Sequence, residues 1–165
     1  MLPMKCLVIV FSHHHHQNTE KIAKVFAKVL DAQIQMPQQI NLEELQAYDF
    51  IGFGSGIDSE KHYQVLLDLA HTLPPVTNKK AFIFSTSAMP EVTKNHAILR
   101  ETLQSKGYTI IGEFNCPGFN TNSFLRVFGG MNKGRPNAED FKHAEAFAQN
   151  LKQTLEYSTR EIKTT

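Results

Sequence analysis

The sequence predicts an α/β domain, a parallel sheet with helices on both faces, and three observations predict it. Residues 6 to 11 (CLVIVF), 49 to 54 (DFIGFG) and 81 to 85 (AFIFS) are short apolar runs, the pattern of strands covered on both sides. The stretches between them repeat apolar residues at helical spacing. Strand and helix alternate about five times, which calls for a parallel sheet, and right-handed crossovers leave few topologies for it.

The first run reads as the central strand. Behind it, Thr19 is placed to cap a helix whose buried face is Ile22, Phe26, Val29 and Leu30. A short strand at 34 to 36 ends at Pro37, and residues 42 to 45 form at most a short helix. In the strand at 49 to 54, Gly52 and Gly54 let a neighbouring backbone or ligand approach closely. The loop at 55 to 60 leads into a helix with Tyr63, Leu66, Leu67 and Ala70 on its apolar face, stopped by Pro74 and Pro75. After the strand at 81 to 85, residues 92 to 105 read as one helix ended by Gly107. A strand over 109 to 115 follows, and a turn-rich loop at 129 to 136 precedes the last helix. Asn137 caps that helix, which has Asp140 in its first turn and a buried stripe of Phe141, Ala144, Ala148, Leu151 and Leu155. Residues 1 to 157 thus form a single domain, and 158 to 165 a frayed tail.

Composition narrows the function classes. The formal charge is +1 with the charges interspersed, so the basic stripe of a nucleic-acid binder is missing. No apolar run is long enough to span a bilayer, and no membrane insertion is expected. Cys6 and Cys116 belong to no C-x-x-C pair, which fits a reduced, cytoplasmic setting.

Ligands of such sheets bind outside the carboxyl ends of the strands. The loops at 12 to 18, 55 to 61, 86 to 91 and 116 to 121 all follow strands, so they converge on one site. The first is the most informative: Ser12, His13, His14, His15, His16, Gln17, Asn18 and Thr19 join an apolar strand to an amphipathic helix. A turn of this kind aims backbone N–H groups and the positive end of a helix dipole at one point, where an anion sits. The four histidines lie between patterned segments, unlike a terminal tag. Adjacent residues of one short loop seldom converge on a single ion, and no Cys pair or His-x-x-x-His helix accompanies them, so a metal is not expected. A solvated loop without a ligand is the plainer alternative.

Several anion sites are excluded. Residues 12 to 20 contain neither the glycines nor the lysine of a P-loop, and the Gly-x-Gly-x-x-Gly of a dinucleotide fold is absent. A phosphate-accepting receiver needs an aspartate where this chain has Gly54-Ser55. What remains is a monophosphate held by hydroxyls, side-chain amides and backbone N–H groups.

With Ser12, Asn18, Thr19 and Glu20 in the first loop, "YDFIGFGSGI" at 48 to 57, "KKAFIFSTS" at 79 to 87 and "NKGRPNAEDF" at 132 to 141, the chain resembles the flavodoxin family over nearly its whole length. The resemblance implies a three-layer sandwich around a five-stranded parallel sheet in the order 2-1-3-4-5. Cys6 and Cys116 then lie about 14 Å apart at usual strand spacing and cannot bridge. It implies flavin mononucleotide (FMN) as ligand, its phosphate held by Ser12, Asn18 and Thr19 and wrapped by the backbone of residues 13 to 17. The ring would rest between Ser55, Gly56, Ile57 and Asp58 on one side and Thr86, Ser87, Ala88 and Met89 on the other, with Cys116, Gly118 and Phe119 close by. Gly56 would turn a backbone carbonyl toward the flavin N5; a glycine chosen only for a tight turn is the alternative. The chain departs from the family in having no Trp and no stacking aromatic in its second loop, so ring stacking is expected to be weak. It is also near neutral, whereas electron-shuttling flavodoxins are usually acidic.

Three readings follow: an FMN-binding electron carrier serving another redox protein, an FMN-dependent reductase passing hydride from a nicotinamide to a quinone or other small acceptor, and a cofactor-free binding module. The carrier is favoured over a stand-alone enzyme.

Overall fold

The computed structural model describes residues 3–12, 17–118 and 132–163. Among the described residues, strands β1 (Cys6–Phe11), β2 (Gln33–Gln35), β3 (Phe50–Asp58), β4 (Lys61–His62), β5 (Lys79–Ser87) and β6 (Tyr108–Pro117) are interleaved with five helices. These are α1 (Asn18–Leu30), α2 (Gln64–Thr72), α3 (Val92–Asn95), α4 (Ala97–Ser105) and α5 (Ala138–Lys163), with short 3-10 turns at Pro37–Gln39 and Glu44–Ala47. The main sheet runs β2-β1-β3-β5-β6, parallel throughout, so the carboxyl ends of β1, β3, β5 and β6 share one edge.

Strand alternation divides the core in two. Cys6, Val8, Val10, Phe50, Phe82 and Phe84 face Ile22, Ala23 and Phe26 of α1 and Ala144, Ala148 and Leu151 of α5. Leu7, Ile9, Ile51, Phe53, Ala81 and Ile83 face Leu66, Leu67 and Ala70 of α2 and Leu99 and Leu103 of α4. Phe26 is the hub of the first layer, its ring centroid 5.1 to 5.6 Å from those of Phe82, Phe84, Phe114 and Phe147. The close approach expected at Gly52 and Gly54 comes from these aromatics: a Cβ there would lie 2.2 Å from Phe82 and 2.3 Å from Phe84.

Four expectations are corrected. The sheet has a sixth strand, because β3 continues to Asp58 and the turn at Ser59-Glu60, both with positive φ, folds Lys61–His62 back in antiparallel pairing with Ile57 and Asp58. The helix expected over 92 to 105 is two, because His96, at φ −97° and ψ −6°, turns the chain as its side chain is drawn into the sheet. Thr19 does not cap α1; the cap is Gln17, and Thr19 lies inside the helix. The tail continues α5 to Lys163. Asn137 does cap α5, its side-chain oxygen accepting the N–H of Asp140 at 3.1 Å while the Asp140 carboxylate accepts the N–H of Asn137 at 2.8 Å.

Candidate cofactor site at the carboxyl edge

The entrance to α1 is built by a left-handed residue. Gln17 adopts φ 49° and ψ 34°, and its carbonyl accepts the first helical N–H, from Lys21, at 3.0 Å. The first turn of a helix has no intrahelical partners for its leading N–H groups, and that turn of α1 follows directly on the carboxyl end of β1. Thr19 is buried, and its hydroxyl meets that of Thr86 on β5 at 2.8 Å, tying α1 to the strand that flanks it. One hydroxyl of the pair donates to the other, which leaves the second proton and free lone pairs for a further partner. Ser12 is half-buried at the end of β1. His13 to His16 and Phe119 lie outside the described residues.

At the end of β3 the predicted loop is strand. Ser55 is buried, donates to the Gly56 carbonyl at 2.7 Å and accepts the N–H of Tyr63 at 3.1 Å, which starts α2. Gly56 is paired with Thr86, and a Cβ on it would sit 2.6 Å from the Tyr63 ring. Close approach of Tyr63 is therefore a sufficient reason for glycine here. The Tyr63 ring also packs edge-on to Phe11, with centroids 5.7 Å apart, so an aromatic does reach this edge, from a position that sequence reasoning assigned to the helix. Burial and the nearby Asp58 carboxylate raise the Tyr63 phenol above its usual pKa. Ile57 is half-buried and Asp58 exposed in the β3–β4 hairpin.

The other wall comes from β5 and β6. Gly118 N–H donates to the Ser87 carbonyl at 3.0 Å, and a Cβ on Gly118 would lie 3.0 Å from the Asn18 amide and 3.2 Å from Thr86, so α1, β5 and β6 meet around a bare backbone. The Asn132 amide closes this corner by donating to the Ala88 carbonyl at 2.9 Å. Ser87 is only 8 % exposed, yet its hydroxyl has no hydrogen-bond partner among the described residues. Such a group costs free energy unless something satisfies it. Met89 beyond it is 73 % exposed. Cys116 is buried, and desolvation with the Asp140 charge pushes its thiol up to about 12, so it is not a thiolate nucleophile at neutral pH.

Beneath this edge lies a polar cluster that no local spacing in the sequence announces. Arg100 of α4 grips the Glu113 carboxylate of β6 with two N–H groups, each at 2.9 Å. Glu113 accepts from His96 Nδ1 at 3.1 Å, which fixes the neutral tautomer, so Nε2 accepts the hydroxyl proton of the buried Ser85 at 2.7 Å. His62 lies against His96 with ring centroids 4.9 Å apart and donates from Nε2 to the Phe84 carbonyl at 3.1 Å. Burial pushes both imidazoles down, His62 to about 3 and His96 to about 4, with His96 adding to the fall in the first and Arg100 in the second. Hydroxyl, imidazole and carboxylate stand in the order of a hydrolytic triad, but Ser85 and His96 are both fully buried and no substrate reaches them.

This arrangement can be set beside known proteins. The chain is 43% identical over 149 residues to the uncharacterised protein MJ0298 of Methanocaldococcus jannaschii, covering 90% of this chain and 98% of that one. The chain belongs to the same family as MJ0298. Its fold is the flavodoxin fold: it superposes on oxidised Flavodoxin 2 from Bacillus cereus with a TM-score of 0.67 at 21% identity, covering 91% of this chain and 99% of that one. A flavodoxin from the domain Archaea gives 0.63 at 14% identity over 93% and 99%. No protein-family model matches the chain. Within this fold, Asn18, Thr19, Gly56, Thr86, Ser87, Ala88, Cys116 and Gly118 come together at the ends of β1, β3, β5 and β6, whereas Met89 points away into solvent. Among the described residues no cluster of His, Cys, Asp or Glu is arranged to hold a metal, and no helix is long and apolar enough to cross a membrane.

Proposed function

We propose that the chain binds FMN at this carboxyl edge and passes electrons to and from another redox protein in the cytoplasm. The observation that carries the reading is the Ser87 hydroxyl, buried at the end of β5 and without a hydrogen-bond partner among the described residues, in a corner where Gly118 keeps the backbone bare. A hydroxyl is kept in such a place when a bound group completes its hydrogen bonds. The residues present fit the ligand. Ser12 and the start of α1 bracket the phosphate loop, and the Thr19–Thr86 pair retains hydrogen-bonding capacity. Gly56 and Tyr63 provide a flat wall on one side of the ring, and residues 86 to 88 the other. The flavin supplies the electron-accepting ring; the chain orients it, excludes water from its β5 side and offers hydroxyl and amide groups to its polar edge. The +1 formal charge argues for a partner recognised by shape and apolar contact more than by long-range charge steering.

The test is reconstitution. Protein mixed with FMN and freed of excess ligand should be yellow with one flavin per chain, stable to NADH and NADPH alone, and reduced once a flavodoxin reductase is added. Rapid bleaching by either nicotinamide alone would replace the carrier with a reductase acting on small acceptors, and a colourless protein would leave a binding module.

A further inference from the structure

The two walls of the proposed ring position, Gly56 with Tyr63 and residues 86 to 88, are carried by the β3–β4 hairpin and by the segment that continues β5 through residues 88 to 96. The hairpin and residues 88 to 96 are separate in sequence and share no ladder hydrogen bonds, yet two contacts join them. At the surface Lys94 pairs with Glu60 at 2.5 Å, both side chains more than half exposed. Underneath, His62 at the end of the hairpin meets His96 at the start of α4. Each imidazole is also fastened to the sheet, His62 to Phe84 and His96 to Ser85 and Glu113.

The hairpin needs such a fastening. Its turn residues Ser59 and Glu60 have φ of 51° and 63°, a left-handed pair that usually calls for Asn or Gly and is strained in side chains of this kind. Two ladder positions, Ile57 with His62 and Asp58 with Lys61, are a short ladder for holding a strained turn. The exposed ion pair adds little. A fully buried imidazole whose single N–H meets a strand carbonyl, and whose face meets a second anchored imidazole, adds both packing and direction.

We infer that His62 and His96 are positioning residues of the ligand site: their contacting rings clasp the β3–β4 hairpin to strand β5 and to residues 88 to 96, and so set the separation of the two walls between which the ring lies. The role in ligand binding rests on the FMN reading; the clasp itself does not. Charged groups around it are Glu113 of β6 and Arg100 of α4, with Glu60 and Lys94 across the hairpin tip.

The test uses the full chain and two substitutions. A Gln at position 62 can keep a side-chain N–H near the Phe84 carbonyl, and a Leu cannot. His62→Leu should speed amide hydrogen exchange at least about tenfold in 57 to 62 and also in 88 to 96, across the contact, while the centres of β1 and β3 stay protected. His62→Gln should restore most of the protection. FMN affinity should follow the same order, falling about tenfold in His62→Leu and much less in His62→Gln. Unchanged exchange in 88 to 96 for His62→Leu would overturn the clasp, as would equal FMN affinity in all three proteins. If the wild type takes up no FMN, the FMN reading fails while the exchange comparison still decides the clasp. If His62→Leu does not fold, imidazole nitrogen spectra of the wild type at pH 7 decide: a neutral Nε2–H tautomer at His62 and a neutral Nδ1–H tautomer at His96 support the clasp, and averaging between tautomers at either ring overturns it.

Discussion

Mild acid should unfold this protein through two histidines. His62 and His96 are buried as neutral rings, with folded-state pKa values lowered from 6.5 to about 3 and about 4. In the unfolded chain both bind protons near 6.5. Their stability contribution is therefore fully present above that value and is lost as pH falls, since between 6.5 and about 4 the unfolded state binds two protons that the folded state refuses. Each refused proton costs a little over about 1 kcal/mol per pH unit, so the pair costs about 2 to 3 kcal/mol per unit. Going from pH 6.5 to 4.5 then removes about 5 kcal/mol, an upper bound comparable to the whole stability of a marginal domain. Urea denaturation of the flavin-free protein, followed by far-UV circular dichroism at half-unit pH steps, reads this slope directly. His96→Gln should halve it, because one of the two titrating groups is gone. A midpoint that stays level from pH 7 to 5, or an undiminished slope in His96→Gln, would mean that the two imidazoles are not the groups that destabilise the fold in acid.

Three further outcomes are expected. Phe26→Ala removes the ring on which four other phenylalanines converge and should cost about 3 to 5 kcal/mol in chemical denaturation. Ser87→Ala should leave the flavin-free protein as stable or up to about 1 kcal/mol more stable, because it deletes an unpartnered buried hydroxyl, while weakening FMN binding measured by fluorescence quenching. Asp140→Asn weakens the Arg135 pair and the acceptor for the Asn137 N–H, and should lower stability by about 2 kcal/mol at neutral pH in thermal melts. Arg135 holds the Asp140 carboxyl below its ordinary 3.8, so the wild-type advantage should persist above that value and vanish as pH falls through the lowered pKa.

The parts of the fold legible in the sequence are those written in short-range patterns. The strand at Cys6–Phe11, the amphipathic α1 and the Asn137 cap each depend on neighbours within one or two turns. The β3–β4 hairpin was hidden because Ser59-Glu60 carries none of the Asn-Gly or Asp-Gly chemistry that marks such turns. The break at His96 was hidden because the helical spacing of apolar residues runs on through it, while the cause is a side chain pulled toward Ser85 and Glu113. For the site, the shared carboxyl edge of β1, β3, β5 and β6 was readable from strand order alone. The polar cluster was not: Ser85, His96, Arg100 and Glu113 meet only because the β5–β6 register and the α4 crossover bring them together. Tyr63 was assigned to a helix face, and only the bare Gly56 lets its ring lie against the end of β3.

If the carboxyl edge is a flavin site built around a monophosphate cradle, titrating the protein with FMN and with riboflavin, followed by flavin fluorescence, will separate the two ligands. Saturable one-to-one quenching by FMN is expected, with riboflavin binding weaker by about a hundredfold or more, the loss of several hydrogen bonds to a charged group. Equal affinity for the two ligands, or binding of neither, would contradict such a site.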